Sequence, residues 1–251
     1  MNIVRQVLMM WKRIIIGNFR KTPWTIFLSF LPIFLMIILG MTTKNSFTEI
    51  SSFQYYGVVQ ITFMALYNIT ICVNYVKSDE RIGVLSRLRM AGISSLKYYT
   101  INLFGFLFLS ALVTLPSFIV SIRFLGTKWG NVPAFSYICI LSLSAVMISF
   151  GLLLTKILNN IWSILDIINT IIIPFMSYLG GAFGPNSFDS SPVLKLLSNM
   201  SLVKWLNEGI FSMVYGNDYS IIITSLIINL SLTFIFMIGL VIEREVDNKL
   251  C

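Results

Sequence analysis

Six long apolar runs constrain the fold of this 251-residue chain more than any other feature of its sequence. Each run has 18 to 25 residues, and a helix needs about 20 apolar residues to cross about 30 Å of hydrocarbon. The runs contain no Lys or Arg and do not alternate with polar residues, which favours helices over a β-barrel. The sequence therefore predicts an all-α integral membrane protein with six transmembrane helices, at residues 24–41, 55–76, 98–122, 133–155, 161–183 and 219–242.

The composition excludes a soluble domain and most kinds of catalytic site. Only 11% of the residues are charged, against about 25% in a typical soluble domain. The chain has no histidine, so it contains neither a histidine general base nor a histidine metal site. Its three cysteines form no C-x-x-C pair, and no P-loop sequence is present. We therefore expect a protein that is not itself an enzyme and that binds no cofactor or metal.

The distribution of Lys and Arg predicts the orientation in the membrane. If the two termini lie on one side, that side carries 13 of the 18 basic residues and the opposite side carries five. Basic residues accumulate in cytoplasmic loops, so both termini are predicted to be cytoplasmic. The net charge of +8 is then an orientation signal, and we predict no binding of nucleic acid.

Residues 1–22 have the pattern of an amphipathic helix that precedes the six-helix domain at 23–251. Val7, Trp11 and Ile14 recur at helical spacing on one face, whereas Lys12 and Arg13 are on the polar side. Such a helix is suited to lie in the membrane interface, in contact with lipid.

Two further segments carry polar residues that a plain lipid-facing helix would not need. In the second run, Gln60, Tyr67 and Asn74 repeat at intervals of seven, which favours either interhelical hydrogen bonding or a functional surface. In the fifth run, Asp166, Asn169 and Ser177 share one face of an ideal α-helix with the following glycines. This face is predicted either to line a transport pathway or to pack against another helix.

The segments on either side of these runs carry the remaining functional signals. Residues 77–97 combine acids, an apolar strip and three arginines, so they form either an interfacial helix or a docking helix for a cytoplasmic partner. Residues 186–217 contain apolar clusters that are too short to cross the membrane. We expect re-entrant or interfacial half-helices there, on the outer side.

The order of these features resembles the membrane subunit of type-2 ABC exporters over nearly the whole chain. The charged loop 80–89 followed by Gly92 is similar to the coupling segment of that family. Leu202 departs from the family pattern, which often has proline there. The matches to the C-terminal signature of the family are Gly180, Gly181, Phe183, Pro185, Pro192 and Trp205.

The resemblance implies an export permease in a bacterial cell membrane, paired with a second permease copy or paralogue. A separate ABC ATPase subunit would bind ATP and Mg²⁺ and drive transport. The compact chain suits a lipophilic drug-like molecule or an amphipathic peptide as cargo, and a secondary carrier or channel without an ATPase remains the alternative. The resemblance assigns ATPase coupling to Glu80, Arg81, Gly83, Leu85, Arg87 and Leu88. It assigns the outer gate to Gly180, Gly181, Phe183 and Pro185.

Overall fold

The computed structural model describes residues 3–21, 23–43, 50–90, 94–158, 161–184 and 192–249, and contains no β-strand within them. The predicted all-α class is therefore confirmed. The helices are α1 (Ile3–Lys21), α2 (Pro23–Thr42), α3 (Ser52–Leu66), α4 (Asn68–Arg81), α5 (Val84–Met90), α6 (Ser95–Arg123), α7 (Pro133–Ile157), α8 (Ile161–Ile167), α9 (Ile173–Leu179), α10 (Pro192–Asn199), α11 (Leu202–Tyr215) and α12 (Ser220–Lys249). A π-helical segment, Ile168–Ile172, joins α8 to α9.

Within these described ranges, six helical stretches are long and apolar enough to cross a membrane. They are Thr25–Thr42, Ser52–Arg81, Leu96–Arg123, Pro133–Ile157, Ile161–Leu179 and Ser220–Val241. The second stretch joins α3 to α4 through a turn at Tyr67, and the fifth joins α8 to α9 through the π-helical segment. We call these stretches spans one to six.

Span two forms the centre of the bundle. Its most apolar window is 94% buried, whereas the corresponding windows of spans five and six are only 28% and 17% buried. Span two packs against α2, α6, α7 and α11, and α12 packs against α7 at the periphery. The protein therefore surrounds span two with other helices and leaves spans five and six largely exposed.

Hydrogen bonds between side chains join the buried helices. The Asn68 amide donates to Ser144 Oγ at 3.1 Å, and Ser110 Oγ donates to the same oxygen at 3.1 Å. At the periphery of the bundle, the Asn229 amide of α12 donates to Ser142 Oγ of α7 at 3.1 Å. Such bonds replace the water that these groups lack in the membrane. The polar residues of span two therefore include genuine interhelical contacts, as the packing interpretation predicted.

Helix α1 lies against the ends of spans two and three. Trp11 Nε1 donates to the Ile101 carbonyl at 3.2 Å, and Ile14 is buried against Gly105 of α6. Leu8 and Met9 are exposed. The apolar surface of α1 is therefore divided between the helix bundle and the surroundings, a distribution suited to a helix in a membrane interface.

Two helices, α10 and α11, follow span five. Ser201 caps α11 by accepting a hydrogen bond from the Lys204 backbone N–H, and Leu206 and Ile210 bury its inner face. This face contacts α3, α9 and α12. The re-entrant placement of α10 and α11 stays a prediction.

The loop after α11 leads into α12 through a hydrogen bond at Asp218. The Ser220 backbone N–H donates to the Asp218 carboxylate at the start of α12, and this bond holds the pKa of that carboxyl below its usual range.

Candidate functional site

The predicted coupling segment is a tight turn between α4 and α5. Helix α4 ends at Arg81, and Ile82 and Gly83 form a turn before α5 begins at Val84. Gly83 has φ +68°, a left-handed conformation that favours glycine, and its N–H donates to the Glu80 carbonyl at 3.0 Å. This turn fixes the position of α5 relative to the Arg81 end of span two.

The side chains of this segment point in different directions. Glu80 forms an ion pair with Lys77 at 2.8 Å, and the Arg81 guanidinium lies 5.0 Å from the Trp162 ring centre of span five. Leu88 is half-buried and packs against the core, whereas Arg87 is exposed. The side chain of Leu85 lies outside the described part. Exposed apolar side chains that a partner could contact are Ile82 and Met90, the latter 81% exposed.

The predicted outer gate is a turn in which four backbone carbonyls accept hydrogen bonds from two other elements. Tyr55 Oη of α3 lies 2.8 Å from the Gly181 carbonyl and 3.0 Å from that of Gly184. Gln60 Nε2 donates to the Ala182 carbonyl at 2.7 Å. Because these carbonyls are held by side chains of span two, the turn is fixed to the centre of the bundle.

The same turn is tied to α11 on its other side. Asn207 Nδ2 donates to the Gly180 carbonyl at 2.9 Å, and Thr62 Oγ1 donates to Asn207 Oδ1 at 2.7 Å. Asn207 is therefore a bridge between span two and the end of span five. Buried polar groups with partners on two elements fix the relative position of those elements.

Close packing explains both glycines that the sequence singles out in this turn. Gly181 has φ +86°, and a Cβ there would collide with the Tyr55 hydroxyl. A Cβ at Gly180 would lie 2.6 Å from Val203 Cγ1 of α11. Phe183 is exposed, with its ring centre 6.0 Å from that of Phe63. Pro185 lies outside the described residues.

The predicted polar face of span five is divided in the structure. Asp166 is exposed, Asn169 is half-buried and accepts a hydrogen bond from Thr70 Oγ1 at 2.5 Å, and Ser177 is buried and donates to the Ile173 carbonyl. The π-helical segment Ile168–Ile172 lies between Asp166 and Ser177. It inserts an extra residue into the turn and rotates the two halves relative to each other. This segment therefore departs from the regular α-helical period on which the predicted shared face depends, and the roles of the three residues stay predictions.

An apolar cavity of about 450 Å³ lies between span five, α7 and α12. All 14 residues that line it are apolar, among them Phe150 of α7 and Phe236 of α12. Along span five its lining runs from Ile164 to Met176, which is about 18 Å at 1.5 Å per residue. The cavity can therefore accommodate a long apolar group, and it offers no hydrogen bond to a polar one.

A comparison with models of known protein families identifies the family of this chain. A family model described as ABC-2 type transporter matches residues 5–215, which is most of the chain and includes the coupling segment and the outer turn. The chain belongs to the ABC-2 type transporter family. Among curated proteins and among solved structures, none matches the chain significantly.

Membership makes this chain a multi-pass membrane permease of an ABC-type transporter, a transport component rather than a catalyst. Members of the family generally work with an ATPase subunit. The permease matches the family model over spans one to five and α11. Span six, from Ser220 onward, lies beyond the matched range.

Sequence reasoning missed two of the residues that hold the outer turn of this permease. Tyr55 is 126 residues from Gly181 in the chain, and Asn207 directly follows an apolar cluster that ends at Leu206. An amide beside such a cluster is a usable signal, because a buried amide needs a partner. Tyr55, at the end of an apolar run, resembles an ordinary interfacial tyrosine and gives no such signal.

Proposed function

We propose that this permease is the membrane subunit of an ATP-driven exporter and that span two transmits the motion of the ATPase to the outer turn. The supporting observation is that span two carries both sites. Its inner end continues through Gly83 into α5, and its outer end holds the carbonyls of Gly181, Ala182 and Gly184 through Tyr55 and Gln60. Arg81 lies 26 positions after Tyr55, which corresponds to about 39 Å of helix.

In this mechanism, the ATPase subunit binds ATP and Mg²⁺ and docks on the segment from Glu80 to Leu88 and on the adjoining exposed end of α5 at Met90. Closure of the ATPase pushes α5, and the Gly83 turn passes the displacement to α4. Because span two is almost completely buried, it moves together with its neighbours rather than alone. At its outer end, the hydrogen bonds of Tyr55 pull the glycine turn and open the pathway outward.

We also propose a dimer of permeases, formed with a second copy or a paralogue. Asp166 supports this arrangement because it is exposed on span five, five residues beyond the start of that span. An acid that faces lipid at the centre of a span costs roughly 2.5–3.5 kcal/mol, and less near the interface. A second copy or an aqueous pathway beside span five would remove that cost.

The cargo that fits best is lipophilic, either a drug-like molecule or the apolar face of an amphipathic peptide. The apolar cavity supports this class, since its lining supplies no polar group to a hydrophilic cargo. Span five forms one wall of the cavity and also carries the exposed Asp166. A cargo in the cavity therefore lies beside the helix that we place at the dimer contact.

Docking of the ATPase is expected to fail when its contact surface becomes charged. In Met90→Asp, a carboxylate replaces an exposed apolar side chain at the end of α5. Loss of an apolar anchor typically costs about 2 kcal/mol, so the ATPase is expected to bind roughly 30-fold more weakly. Co-purification of the ATPase subunit and ATP-dependent export of a lipophilic dye from vesicles measure the two consequences.

The matched control is Val132→Asp, which places the same charge at an exposed apolar residue of the loop between spans three and four. It should retain both ATPase binding and export. Equal binding by Met90→Asp and the wild type would remove α5 from the interface. Export driven by an ion gradient without nucleotide would instead identify a secondary carrier or channel.

Both termini are proposed to be cytoplasmic, as the 13 basic residues on their side indicate. In a variant without the three native cysteines, a cysteine at Asn131 should react with an impermeant maleimide in intact cells. A cysteine at Met90 should react only after the membrane is permeabilised. The opposite pattern would reverse the orientation and place α5 outside the cell, where no ATPase could reach it.

A further inference from the structure

A second cavity, of about 530 Å³, lies between α1 and the inner end of α4. Lys12 and Arg13 line it from α1, and Asn74, Ser78 and Asp79 line it from α4. The apolar cavity beside span five shares none of its lining residues with this one. This cavity is therefore a separate site, and its polar groups require a ligand of different chemistry.

The charges of this cavity favour an anion. Asp79 is the only acid in the lining, and its carboxylate is already engaged by Arg13 Nη2 at 2.6 Å and by Tyr98 Oη at 3.4 Å. Arg13 is 43% exposed in its side chain, and a guanidinium has five N–H donors, so it retains donors for a ligand. Lys12 is exposed beside it. Two cations against one neutralised carboxylate leave an excess of one positive charge.

The ligand must also have an apolar part. Met9 and Ile16 line the same cavity and are exposed, one turn before and one turn after the cations. The spacing of residues 9, 12, 13 and 16 places all four on one face of α1. A face with cations at its centre and apolar side chains on both flanks matches an anionic group attached to hydrocarbon.

We propose that this cavity binds the phosphate of an anionic phospholipid, with the acyl chains against Met9 and Ile16. Basic pockets beside the cytoplasmic ends of transmembrane helices bind such head groups, and the amphipathic α1 is suited to lie at head-group depth. Arg13 is held in place by Asp79 and by the Tyr75 ring, whose centre is 6.0 Å from its guanidinium carbon. The phosphate would contact donors that are already positioned.

A bound lipid would join α1 to α4, because Ser78 lies only two residues before Glu80 of the coupling segment. Lipid charge could then regulate the coupling of the ATPase. This effect on transport rests on the proposed function, whereas lipid binding does not. An experiment that measures binding directly can therefore fail or succeed independently of ATP-driven export.

Native mass spectrometry of the purified full chain, titrated with phosphatidylglycerol or phosphatidylcholine, tests the site. We expect phosphatidylglycerol to bind about tenfold more tightly. Lys12→Gln, which leaves the Arg13–Asp79 pair intact, should weaken phosphatidylglycerol binding about tenfold. Lys128→Gln removes an equal charge from an exposed residue of the loop between spans three and four and should have no effect.

A second variant, Arg13→Gln with Asp79→Asn, leaves the net charge of the lining unchanged and removes the guanidinium donors without leaving an unpaired carboxylate, so it should weaken phosphatidylglycerol binding through the lost hydrogen bonds alone. Equal affinity for the two lipids would overturn the proposal. So would equal weakening by Lys12→Gln and Lys128→Gln. Displacement of the lipid by millimolar inorganic phosphate would show that the site takes a free phosphate instead, and would overturn the lipid assignment.

Discussion

Gly181→Ala is expected to lower the free energy of unfolding by about 2–4 kcal/mol, measured by SDS titration in mixed micelles. Alanine in the left-handed conformation of Gly181, φ +86°, costs about 1–2 kcal/mol. In addition, its Cβ would collide with the Tyr55 hydroxyl, and such overpacking typically costs 1–3 kcal/mol. Tyr55 would then move and lose its contacts with the Gly181 and Gly184 carbonyls.

Gly126→Ala is the matched control, because Gly126 has φ +65° and a Cβ there would have no neighbour within 4 Å. Gly126→Ala should lower the free energy of unfolding only by the cost of alanine in a left-handed conformation, about 1–2 kcal/mol. Tyr55→Phe removes the colliding oxygen and should therefore recover part of the loss in a double-mutant cycle with Gly181→Ala. Equal losses for Gly181→Ala and Gly126→Ala would show that Tyr55 does not hold the outer turn.

Arg13→Met is expected to destabilise the protein by about 3 kcal/mol. The Asp79 side chain is only 6% exposed and forms an ion pair with Arg13 at 2.6 Å. Removing one partner of a buried pair leaves an uncompensated charge, which costs roughly 3–5 kcal/mol. We expect the lower end of this range because Arg13 is partly exposed and Tyr98 still contacts the carboxylate. The same SDS titration measures the loss.

Two controls separate this charge effect from a change in the surface of α1. Lys12→Met alters an exposed neighbour and should remain within about 0.5 kcal/mol of the wild type. Arg13→Met combined with Asp79→Asn removes both charges and should recover most of the lost stability. If the single variant at Arg13 is as mild as Lys12→Met, the pair contributes nothing to the attachment of α1.

Several functional features could be predicted because they depend on short stretches of sequence. The helix predicted within residues 77–97 is present but in two pieces, since α4 ends at Arg81 and α5 begins at Val84 after the left-handed Gly83. The glycines after span five mark a place where a side chain cannot fit, and both Gly180 and Gly181 are in close contact with other elements. The roles of these residues in coupling and gating stay predictions.

Other features depended on contacts that no local pattern encodes. The face shared by Asp166 and Ser177 assumed a regular α-helix, and the π-helical segment changed the register between them. Leu88 belonged to an apolar strip in the sequence, yet it packs against the core while Met90 points outward. An amphipathic pattern predicts which side of a short helix is apolar. It does not predict which residues of that side the rest of the bundle buries.

The sequence by itself determined the number of spans and the all-α class, because transfer of about 20 consecutive apolar residues into hydrocarbon is favourable without any tertiary contact. Only the tertiary structure decided which span is central and what it holds. Span two is not the most apolar run, yet it is the most buried. The Tyr55 hydroxyl and the Gln60 amide of this span find their partners more than 100 residues away, at Gly181 and Ala182. Such pairings arise from the packing of whole helices. Lipid covers every apolar surface about equally well, so polar hydrogen bonds and steric fit select the arrangement of the helices.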